Sequence, residues 1–311
     1  MENNTLMVSV CVITYNHEEY IAQTIEGVVM QKTNFPIELI IGEDCSTDKT
    51  REICIEYQQK YPEIIKLQLP EKNRGARCNF IEVLQAARGK YMAICEGDDY
   101  WTDPLKLQKQ LDFLEEHEDV SMCFHNAKIC RDKVVSFSNI MTKYGDSFPN
   151  FPKSCYVDVK TLVKEWVVPT ASMVFRRKFV RYEENPLYGD QWIILTMAES
   201  GLIYYLSDTM SVYRILPTGM NINASKNLLP TAYKRMEHTK YIRKRFKQVP
   251  FMTISVILAM RYWTILSLEM KENRKFRFKY FLLSLLNDPM IVFKKIKRRI
   301  LILKSKNNNE S

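Results

Sequence analysis

The sequence predicts an α/β fold in which a mostly parallel sheet is flanked by helices and followed by a C-terminal helical extension. Short apolar segments alternate with amphipathic helical patterns over the first 126 residues. The segments are continuous apolar runs, which are typical of strands buried on both faces of a sheet. Beyond residue 228 the pattern is helical throughout.

The first element is an apolar, β-branched strand at residues 7–14, followed by a helix with Ile21, Ile25 and Val28 on one face. The alternation continues with strand 37–42, helix 48–60, strand 64–69, helix 77–88, strand 90–95, helix 104–117 and strand 120–126. Residues 132–170 are expected to form loops with short strands. Strands near 171–176 and 202–206 then flank a helix that begins at Asp190.

Charge is distributed unevenly along the chain. The net charge is +9, but residues 225–311 contain 21 Lys and Arg against 5 Asp and Glu, whereas residues 1–224 contain 24 against 31. This shift predicts one domain at residues 1–224 and a basic, mainly helical extension at residues 225–311.

The eight cysteines include no CxxC pair, and Cys11, Cys95 and Cys123 lie inside apolar runs. Because buried reduced thiols behave as small hydrophobic groups, this pattern favours a reducing cytoplasm. The first ten residues have no positive region and no cleavage pattern, so no secretory signal is expected.

Polar clusters follow four of the predicted strands. Ligands of open α/β sheets bind at the carboxyl ends of the strands, so these clusters are expected to meet at one edge. The clusters are Thr14-Tyr15-Asn16, the acidic run Glu43 to Asp48, Asn73-Arg74-Gly75, and Glu96-Gly97-Asp98-Asp99.

Several phosphate and metal motifs are absent from the sequence. The nine glycines form neither a GxG nor a GxxxxGK[ST] pattern, which excludes the dinucleotide fingerprint and the P-loop. The four histidines stand far apart and no HExxH occurs, which argues against a zinc site. A bound nucleotide diphosphate would therefore need a divalent cation, Mn²⁺ or Mg²⁺, held by carboxylates.

Glu96, Asp98 and Asp99 are the best candidates to hold that cation. Three carboxylates within four residues repel one another unless a cation lies between them. The alternative is a polar turn that caps the next helix, but Asp103 and Pro104 already supply the predicted cap and first helical residue. The cluster therefore predicts metal or substrate binding.

Three stretches, VSVCVITYN, IIGEDCSTD and GKYMAICEGDDYWTDPLKLQKQ, resemble family 2 glycosyltransferases with the GT-A fold. The likeness extends over residues 7–215 and is greatest to bacterial members that build capsule, lipopolysaccharide or other surface glycans. It implies a Rossmann-like GT-A domain that moves a hexosyl or N-acetylhexosaminyl group from a nucleotide-diphosphate sugar, a UDP-sugar first of all, to an acceptor hydroxyl with inversion.

The resemblance also implies residue roles. Glu96-Gly97-Asp98 lies at the family's DxD position, where the first acid contacts the donor ribose and the last reaches the metal. Asp98 is thus the implied metal ligand, with Asp99 as the second choice. Asp44 matches the acid that accepts a hydrogen bond from uracil. Residues that match the uridine-binding segment, or lie beside it, are Thr14, Tyr15, Asn16, Asn73 and Arg74.

Some of these residues have simpler interpretations that the sequence leaves open. Tyr15 could be a core aromatic residue, and Arg74 could only balance the acidic edge. Asp48 is expected to cap the helix that it precedes.

The run Tyr188-Gly189-Asp190-Gln191-Trp192 resembles the family segment that supplies the catalytic base, which implies this role for Asp190. One carboxylate at the mouth of a cleft can accept the proton of an acceptor hydroxyl. The alternative is that Asp190 only caps its helix. Many relatives carry a histidine that contacts metal or diphosphate near the position of Leu216. Here no histidine occurs, and Arg214 or a lysine could take its place.

The basic extension contains two notable segments. Residues 251–268 are apolar except for Arg261, and a central arginine costs about 2.5–3.5 kcal/mol on membrane insertion. A helix packed on the first domain or lying against lipid is therefore expected rather than a span. Residues 290–303 place Phe293, Ile296, Ile300 and Leu303 on one face among Lys294, Lys295, Lys297, Arg298 and Arg299, a pattern typical of helices on anionic membranes. The alternative is a solvated basic helix, and nucleic acid is not an expected partner.

Together these observations predict a cytoplasmic glycosyltransferase, peripheral at the inner face of the cell membrane. Its partners would be a nucleotide-sugar donor, a glycan or lipid-linked glycan acceptor, and the anionic membrane surface. The alternative is a catalytically silent nucleotide-sugar-binding or scaffolding subunit. The sequence does not identify the donor sugar, the acceptor or the linkage, and it allows a homo-oligomer without predicting one.

Overall fold

A computed structural model describes residues 6–131, 134–139, 153–164, 167–182, 188–217, 227–272 and 277–307. The chain forms two compact units, Met1–Leu216 and Pro217–Ser311. The predicted domain boundary after residue 224 falls outside the described residues and stays a prediction.

The first unit contains strands of one mixed sheet and the helices that flank it. The strands are β1 (Val8–Thr14), β2 (Ile37–Glu43), β3 (Ile65–Gln68), β4 (Tyr91–Glu96), β5 (Tyr100–Trp101), β6 (Val120–Arg131), β7 (Val134–Asn139), β8 (Cys155–Tyr156), β9 (Val174–Arg176) and β10 (Leu202–Ile215). The helices are α1 (Ile21–Val29), α2 (Thr50–Lys60), α3 (Ala76–Ala86), α4 (Lys106–Glu116), α5 (Val159–Lys164) and α6 (Gly189–Ser200), with 3-10 turns at Thr170–Ser172 and Arg177–Phe179.

The sheet has the order β3-β2-β1-β4-β9-β6-β10-β5, with β7 beside β6 and β8 beside β10. Strands β3, β2, β1 and β4, which are adjacent in the sheet, are parallel to one another. Strands β6 and β10 are also parallel, and this confirms the predicted fold class. The three-residue strand β9 is antiparallel to both β4 and β6. The strand predicted at 202–206 is instead one long strand that continues to Ile215, with register shifts on the way.

The register of the parallel half aligns the ends of its strands. Thr14 pairs with Glu43, and Ile13 pairs with Glu96, so β1, β2 and β4 all end at the same edge. The strand interiors and the facing sides of α1 and α4 form the buried core, which includes Val10, Ile41 and Leu111. The turns that follow β1, β2 and β4 therefore lie side by side at one edge of the sheet.

Two helices begin slightly later than predicted. Helix α2 begins at Thr50, and Asp48 Oδ1 accepts a hydrogen bond from the Thr50 amide at 2.9 Å. Helix α4 begins at Lys106, and Asp103 Oδ1 accepts from the Leu105 amide at 2.8 Å. Both acids accept a hydrogen bond near the start of a helix, as expected. In each case the donor is the amide two residues later in the chain, and neither acid is the N-cap residue.

The second unit is helical, as predicted. Its helices are α7 (Leu228–Arg245), α8 (Phe251–Glu272), α9 (Phe278–Asn287) and α10 (Pro289–Asn307). Within the described ranges, one segment, Phe251–Lys271, could cross a membrane by length and composition alone, and 56% of its most apolar window is buried. A largely buried core helix passes the same test, so this segment is weak evidence for a span.

Candidate active site

The acidic loop, residues 96–99, lies where β4 ends. Its backbone is tightly folded, because the Asp99 amide donates to the Glu96 carbonyl at 3.0 Å and the Gly97 amide donates to the Ile13 carbonyl at 2.9 Å. A Cβ at Gly97 would lie 2.5 Å from Thr14 Oγ1 and 3.0 Å from His17 Nδ1. Only glycine therefore allows the loop to approach the end of β1 so closely.

Helix α1 contacts the acidic loop through Thr24. Thr24 Oγ1 donates a hydrogen bond to the Asp99 carbonyl at 2.6 Å and lies 3.0 Å from the Gly97 carbonyl. Thr24 is fully buried, so both loop carbonyls are satisfied inside the protein rather than by solvent.

Arg214, near the end of β10, holds the other side of the loop. Its backbone amide donates to Asp99 Oδ1 at 2.8 Å, and its Nη1 donates to the Asp98 carbonyl at 2.5 Å. Its Nη2 also donates to Gln23 Oε1 of α1. The guanidinium carbon lies 4.4 Å from the ring centroid of Tyr100 and 5.1 Å from that of Tyr20. Arg214 thus joins β10, α1, β5 and the acidic loop.

The carboxylates of the loop repel one another. Burial, followed by the charges of Asp98 and Asp190, raises the pKa of Glu96 from 4.5 to about 8. Burial, followed by the charges of Asp98 and Glu96, raises the pKa of Asp99 well above its usual range. Acids from β4 and α6 are therefore close enough to destabilise each other's ionised forms.

This excess of negative charge fits a divalent cation. No three His, Cys, Asp or Glu side chains form a ready metal cage among the described residues. Mg²⁺, however, commonly takes only one or two carboxylates and completes its shell with water and substrate phosphate oxygens. Asp98 is only half-buried, and its carboxylate makes no hydrogen bond within the described residues. Asp99 is buried, with Oδ1 bound to Arg214 and Oδ2 without a partner.

Asp44, at the end of β2, is buried and organises the neighbouring turn. Its Oδ1 accepts from the Arg74 amide at 2.7 Å, and its Oδ2 accepts from the Gly75 amide at 2.8 Å. Asn73 Nδ2 donates to the Asp44 carbonyl at 2.9 Å. The Arg74 side chain pairs with Glu82 at 2.5 Å. The structure therefore brings Asp44, Asn73 and Arg74 together as one unit.

The end of β1 lies beside this unit. The Asp44 amide donates to the Thr14 carbonyl at 3.0 Å, and the Asn16 amide donates to Ser46 Oγ at 2.9 Å. Asn16 has a positive φ of 55°, which marks a tight turn. Tyr15 is 42% exposed, so it is not a core aromatic residue. An exposed ring at a strand end is available to contact a ligand.

Asp190 lies in the first turn of α6, one residue inside the helix, whose N-cap position is occupied by Tyr188. Its Oδ1 accepts from the adjacent Gln191 amide at 2.7 Å. At Gly189, an added Cβ would lie 2.8 Å from the ring of Phe80, so glycine allows close packing of this turn on α3. The turn thereby places Asp190 within electrostatic reach of Glu96.

Three further residues of the site were not identified from the sequence. His17 Nδ1 lies 3.2 Å from Thr14 Oγ1, and burial lowers its pKa although the charge of Asp98 opposes this. Thr170 donates a side-chain hydrogen bond to Glu96, and Thr24 supports the loop carbonyls. His17 directly follows the predicted Tyr15-Asn16 cluster, so the strand-end rule could have found it. Thr24 and Thr170 carry no such local signal.

Comparison with known proteins gives the family. The profile of glycosyl transferase family 2 matches residues 9–182, more than half of the chain. An uncharacterized protein of Mycobacterium tuberculosis is 39% identical over 209 residues, which cover 66% of this chain and 58% of that protein. The chain thus spans less than two thirds of that relative. The Bacillus subtilis protein TuaG, named for a glycosyltransferase of teichuronic acid biosynthesis, is 27% identical over 252 residues, 78% of this chain and 93% of TuaG.

Solved structures share the fold at low identity. The S. aureus protein TarS 1-349 in complex with UDP-GlcNAc has a TM-score of 0.60 and 19% identity, and the match covers 91% of this chain and 79% of that one. The mannosyltransferase PcManGT from Pyrobaculum calidifontis, in complex with GDP-Man and Mn²⁺, has a TM-score of 0.61 and 15% identity, covering 98% and 88%. Together with the family profile, the sheet that ends in these acidic turns shows that the chain belongs to glycosyl transferase family 2, with the GT-A fold.

Proposed function

We propose that the chain transfers a sugar from a nucleotide-diphosphate sugar, a UDP-sugar as the first candidate, to an acceptor hydroxyl with inversion at the anomeric carbon. The observation that carries the proposal is the convergence of acids at the edge where β1, β2 and β4 end: Asp98 of the acidic loop and Asp190 of α6 are both close enough to Glu96 to raise its pKa. Two proteins with a similar fold, TarS and PcManGT, were solved in complex with UDP-GlcNAc and GDP-Man, and this supports a nucleotide-sugar donor.

Asp98 is the residue that would hold a divalent cation, Mn²⁺ or Mg²⁺. Asp99 is the second candidate ligand. Asp98 is half-exposed, whereas Asp99 is buried and one of its oxygens is already bound to the Arg214 amide. The bound cation would neutralise the charge that develops on the departing diphosphate. Arg214 fixes the loop that carries Asp98, and it supplies a permanent positive charge two residues before Leu216, near which many relatives carry a histidine.

The donor nucleoside would lie along the ends of β1 and β2. The exposed ring of Tyr15 and the turn at Asn16 offer a face for the uridine, with Thr14 beneath. Asp44 holds Asn73 and Arg74 next to this face, which gives it a positioning role beside the uracil contact that the family resemblance implies. Glu96, the first acid of the loop, would contact the ribose, as the family resemblance implies.

Asp190 would act as the general base. It accepts the proton of the acceptor hydroxyl while the oxygen of that hydroxyl attacks the anomeric carbon and the bond to the diphosphate breaks. One displacement of this kind inverts the anomeric centre. General-base assistance typically contributes about 10²–10⁴-fold to the rate.

The first prediction therefore concerns Asp190→Asn. Asparagine keeps an oxygen for the Gln191 amide but cannot accept a proton, so kcat for UDP-sugar turnover with Mn²⁺ should fall about 10²–10⁴-fold while UDP affinity is kept. Turnover is measured as UDP release, and affinity by calorimetry.

The exposed residue Asp112 on α4 provides the matched control, and Asp112→Asn should leave both quantities unchanged. If Asp190→Asn turns over at the wild-type rate, Asp190 is not the base. If the wild-type chain binds UDP but releases none from any UDP-sugar with an acceptor mixture, the silent-subunit alternative replaces the enzyme.

We also propose that the second unit places the enzyme at an anionic membrane, on the cytoplasmic side, where a lipid-linked or other surface-glycan acceptor would be available. Large apolar side chains of α9 and α10 are strongly exposed, with Leu286 at 71% and Phe293 at 64%. Phe293 is followed on α10 by the exposed residues Lys294, Lys295 and Lys297, and exposed apolar side chains combined with lysines are typical of interfacial helices. The side chains of Ile300 and Leu303, also predicted for this face, fall outside the described residues.

A further inference from the structure

The end of the sheet opposite to the acidic loop carries a second charged feature. A cavity of about 320 Å³ is lined by Leu6, Arg88, Lys90, Arg176, Arg177 and Lys178, and we call it the basic cavity. It lies where β4 begins, whereas the acidic loop lies where β4 ends. With a rise of about 3.3 Å per residue along a strand, the two are separated by on the order of 16 Å.

Two basic segments, at the neighbouring ends of β4 and β9, form the basic cavity. Arg88-Gly89-Lys90 leads into β4, and Arg176-Arg177-Lys178 leaves β9, which is antiparallel to β4 with Tyr91 opposite Arg176. The Arg177 amide donates to the Lys90 carbonyl at 3.1 Å, and Arg177 Nε donates to the Gly89 carbonyl at 2.6 Å. The backbone therefore fixes the proximity of the cations, although they repel one another.

Among the described residues, only two carboxylates form ion pairs with these five cations. Glu38 is shared by Arg88 at 2.9 Å and Lys66 at 2.6 Å, and Glu115 is taken by Lys90 at 2.6 Å. Although burial alone would raise it, hydrogen bonds from Lys66, Ser9 and Arg88 lower the pKa of Glu38 to about 2, so this acid is already ionised and fully used.

Arg176 illustrates the excess of charge. It is 5% exposed, yet its guanidinium donates only to neutral oxygens, namely the carbonyls of Val120, Leu114 and His117 and the hydroxyl of Tyr91. Arg177 and Lys178 are exposed and form no ion pair with the described residues. Glu115, which also pairs with Lys90, is the described carboxylate that interacts electrostatically with Arg176. The positive charge of Arg177 and Lys178 adds to that of Arg176 in a concave surface, which attracts anions.

From this arrangement we propose that the basic cavity binds a phosphate group, with Arg177 and Lys178 as its direct ligands and Arg176 contributing charge from below. An arginine fork and a lysine ammonium together satisfy a tetrahedral oxyanion. The phosphate could be that of an anionic lipid headgroup or of a soluble metabolite, and both present the same chemistry to these side chains. The site is independent of the acidic loop and of the proposed transfer reaction.

The test is calorimetric titration of the full chain with inorganic phosphate in the absence of divalent cations. Wild type should show saturable binding, and the double variant Arg177→Gln, Lys178→Gln should bind at least about tenfold more weakly, because two charge-assisted contacts are lost. The matched control is Lys32→Gln, Lys60→Gln, which removes the same charge from exposed positions outside the cavity and should bind like wild type. Unsaturable binding by wild type, or equal affinity for all three proteins, overturns the proposal.

Co-sedimentation with vesicles identifies the source of the phosphate. If the double variant also loses binding to phosphatidylglycerol vesicles relative to phosphatidylcholine vesicles, the site takes a lipid headgroup. If vesicle binding is unchanged while phosphate binding is lost, the site takes a soluble phosphate. UDP affinity with Mn²⁺ should be the same in all three proteins, so failure of this proposal leaves the glycosyltransferase proposal untouched.

Discussion

Asp98 and Asp99 are adjacent in the chain but lie in different environments. Asp99 is buried, and its Oδ1 accepts the Arg214 amide, so it ties β10 to the acidic loop. Asp98 is half-buried, and among the described residues its backbone carbonyl is bound by Arg214 Nη1 while its carboxylate accepts no hydrogen bond. One acid therefore shapes the loop, and the other keeps its carboxylate available for a cation.

The different environments of Asp98 and Asp99 depend on Arg214, which contacts both residues. We predict that Arg214→Lys raises the KM for the donor about tenfold, because an ammonium cannot bind the Asp98 carbonyl and Gln23 together while it stacks between two tyrosine rings. The value of kcat should change much less, since the general base is untouched. Steady-state kinetics across donor concentrations measures the two separately.

The exposed residue Arg131, at the end of β6, gives a matched control, and Arg131→Lys should leave both constants unchanged. A wild-type KM in Arg214→Lys would mean that the loop holds its shape without the guanidinium.

Much of this residue-level arrangement could be predicted, and the reason is topological. Thr14, Asp44 and Glu96 end parallel strands, so the alternation of strands and helices was enough to place them at one edge. The contact of Arg214 with the Asp98 carbonyl joins residues 116 positions apart and depends on the path of β10, which no local pattern encodes. The backbone engagement of Asp44 was equally invisible.

At the scale of elements, helix α4 and strand β5 form the wall behind the acidic loop. Lys106 is fully buried, its Nζ donates to Gln110 Oε1 at 2.8 Å, and it lies 3.9 Å from the ring centroid of Trp101. Trp101 Nε1 donates to the Ala171 carbonyl at 2.8 Å, and Gln110 Nε2 donates to the Ser172 carbonyl at 2.9 Å. The wall thereby positions the turn that carries Thr170 against Glu96.

The buried lysine makes stability depend on pH in a defined direction. Burial lowers the pKa of Lys106 from 10.5 to about 7. Between these values the unfolded chain binds a proton that the folded chain does not, so the free energy of unfolding rises with pH. Relative to Lys106→Met, wild type should gain about 1.4 kcal/mol per pH unit at most from pH 7 to pH 9. Urea unfolding of both proteins at several pH values measures this difference.

Below pH 7 the difference should become constant, because Lys106 is then protonated in both states. Lys60→Met, at an exposed position on α2, should show no pH-dependent difference from wild type. A constant difference between wild type and Lys106→Met across the whole range would show that Lys106 stays charged in the folded protein.

The elements that the sequence missed are short or interrupted. Strand β9 has three residues and is separated from a 3-10 turn by Met173 alone, so the segment predicted as one strand near 171–176 divides in two. Strand β5 has two residues and pairs with Ser211 and Val212 of β10. Pairing of this kind depends on tertiary contacts and not on periodicity. The six-residue helix α5 lies in residues 132–170, which were predicted as loops with short strands, so that prediction was wrong there. Helices α2, α3 and α4, whose apolar positions repeat over several turns, were predicted to within a few residues.

At the scale of the whole molecule, the exposed apolar side chains of α9 and α10 have a testable role. We predict that Leu286→Glu, Phe293→Glu reduces binding to phosphatidylglycerol vesicles at least about tenfold, because two apolar contacts are lost and two negative charges are added. Both positions are exposed, so the fold should be kept. Co-sedimentation at fixed lipid concentration measures the bound fraction.

Gln59→Glu, Gln85→Glu adds the same two charges at exposed positions of the first unit and should bind vesicles almost as well as wild type. Equal retention of both double variants on the vesicles would contradict a membrane role for this surface and favour a solvated basic helix.

The central claim is that the acidic loop binds a nucleotide diphosphate together with a divalent cation. Calorimetric titration of UDP with and without Mn²⁺, into wild type, Asp98→Ala and the exposed control Asp112→Ala, tests it most directly. We predict that Mn²⁺ strengthens UDP binding to wild type and to Asp112→Ala, and that this gain disappears in Asp98→Ala. An undiminished Mn²⁺ effect in Asp98→Ala would contradict the account.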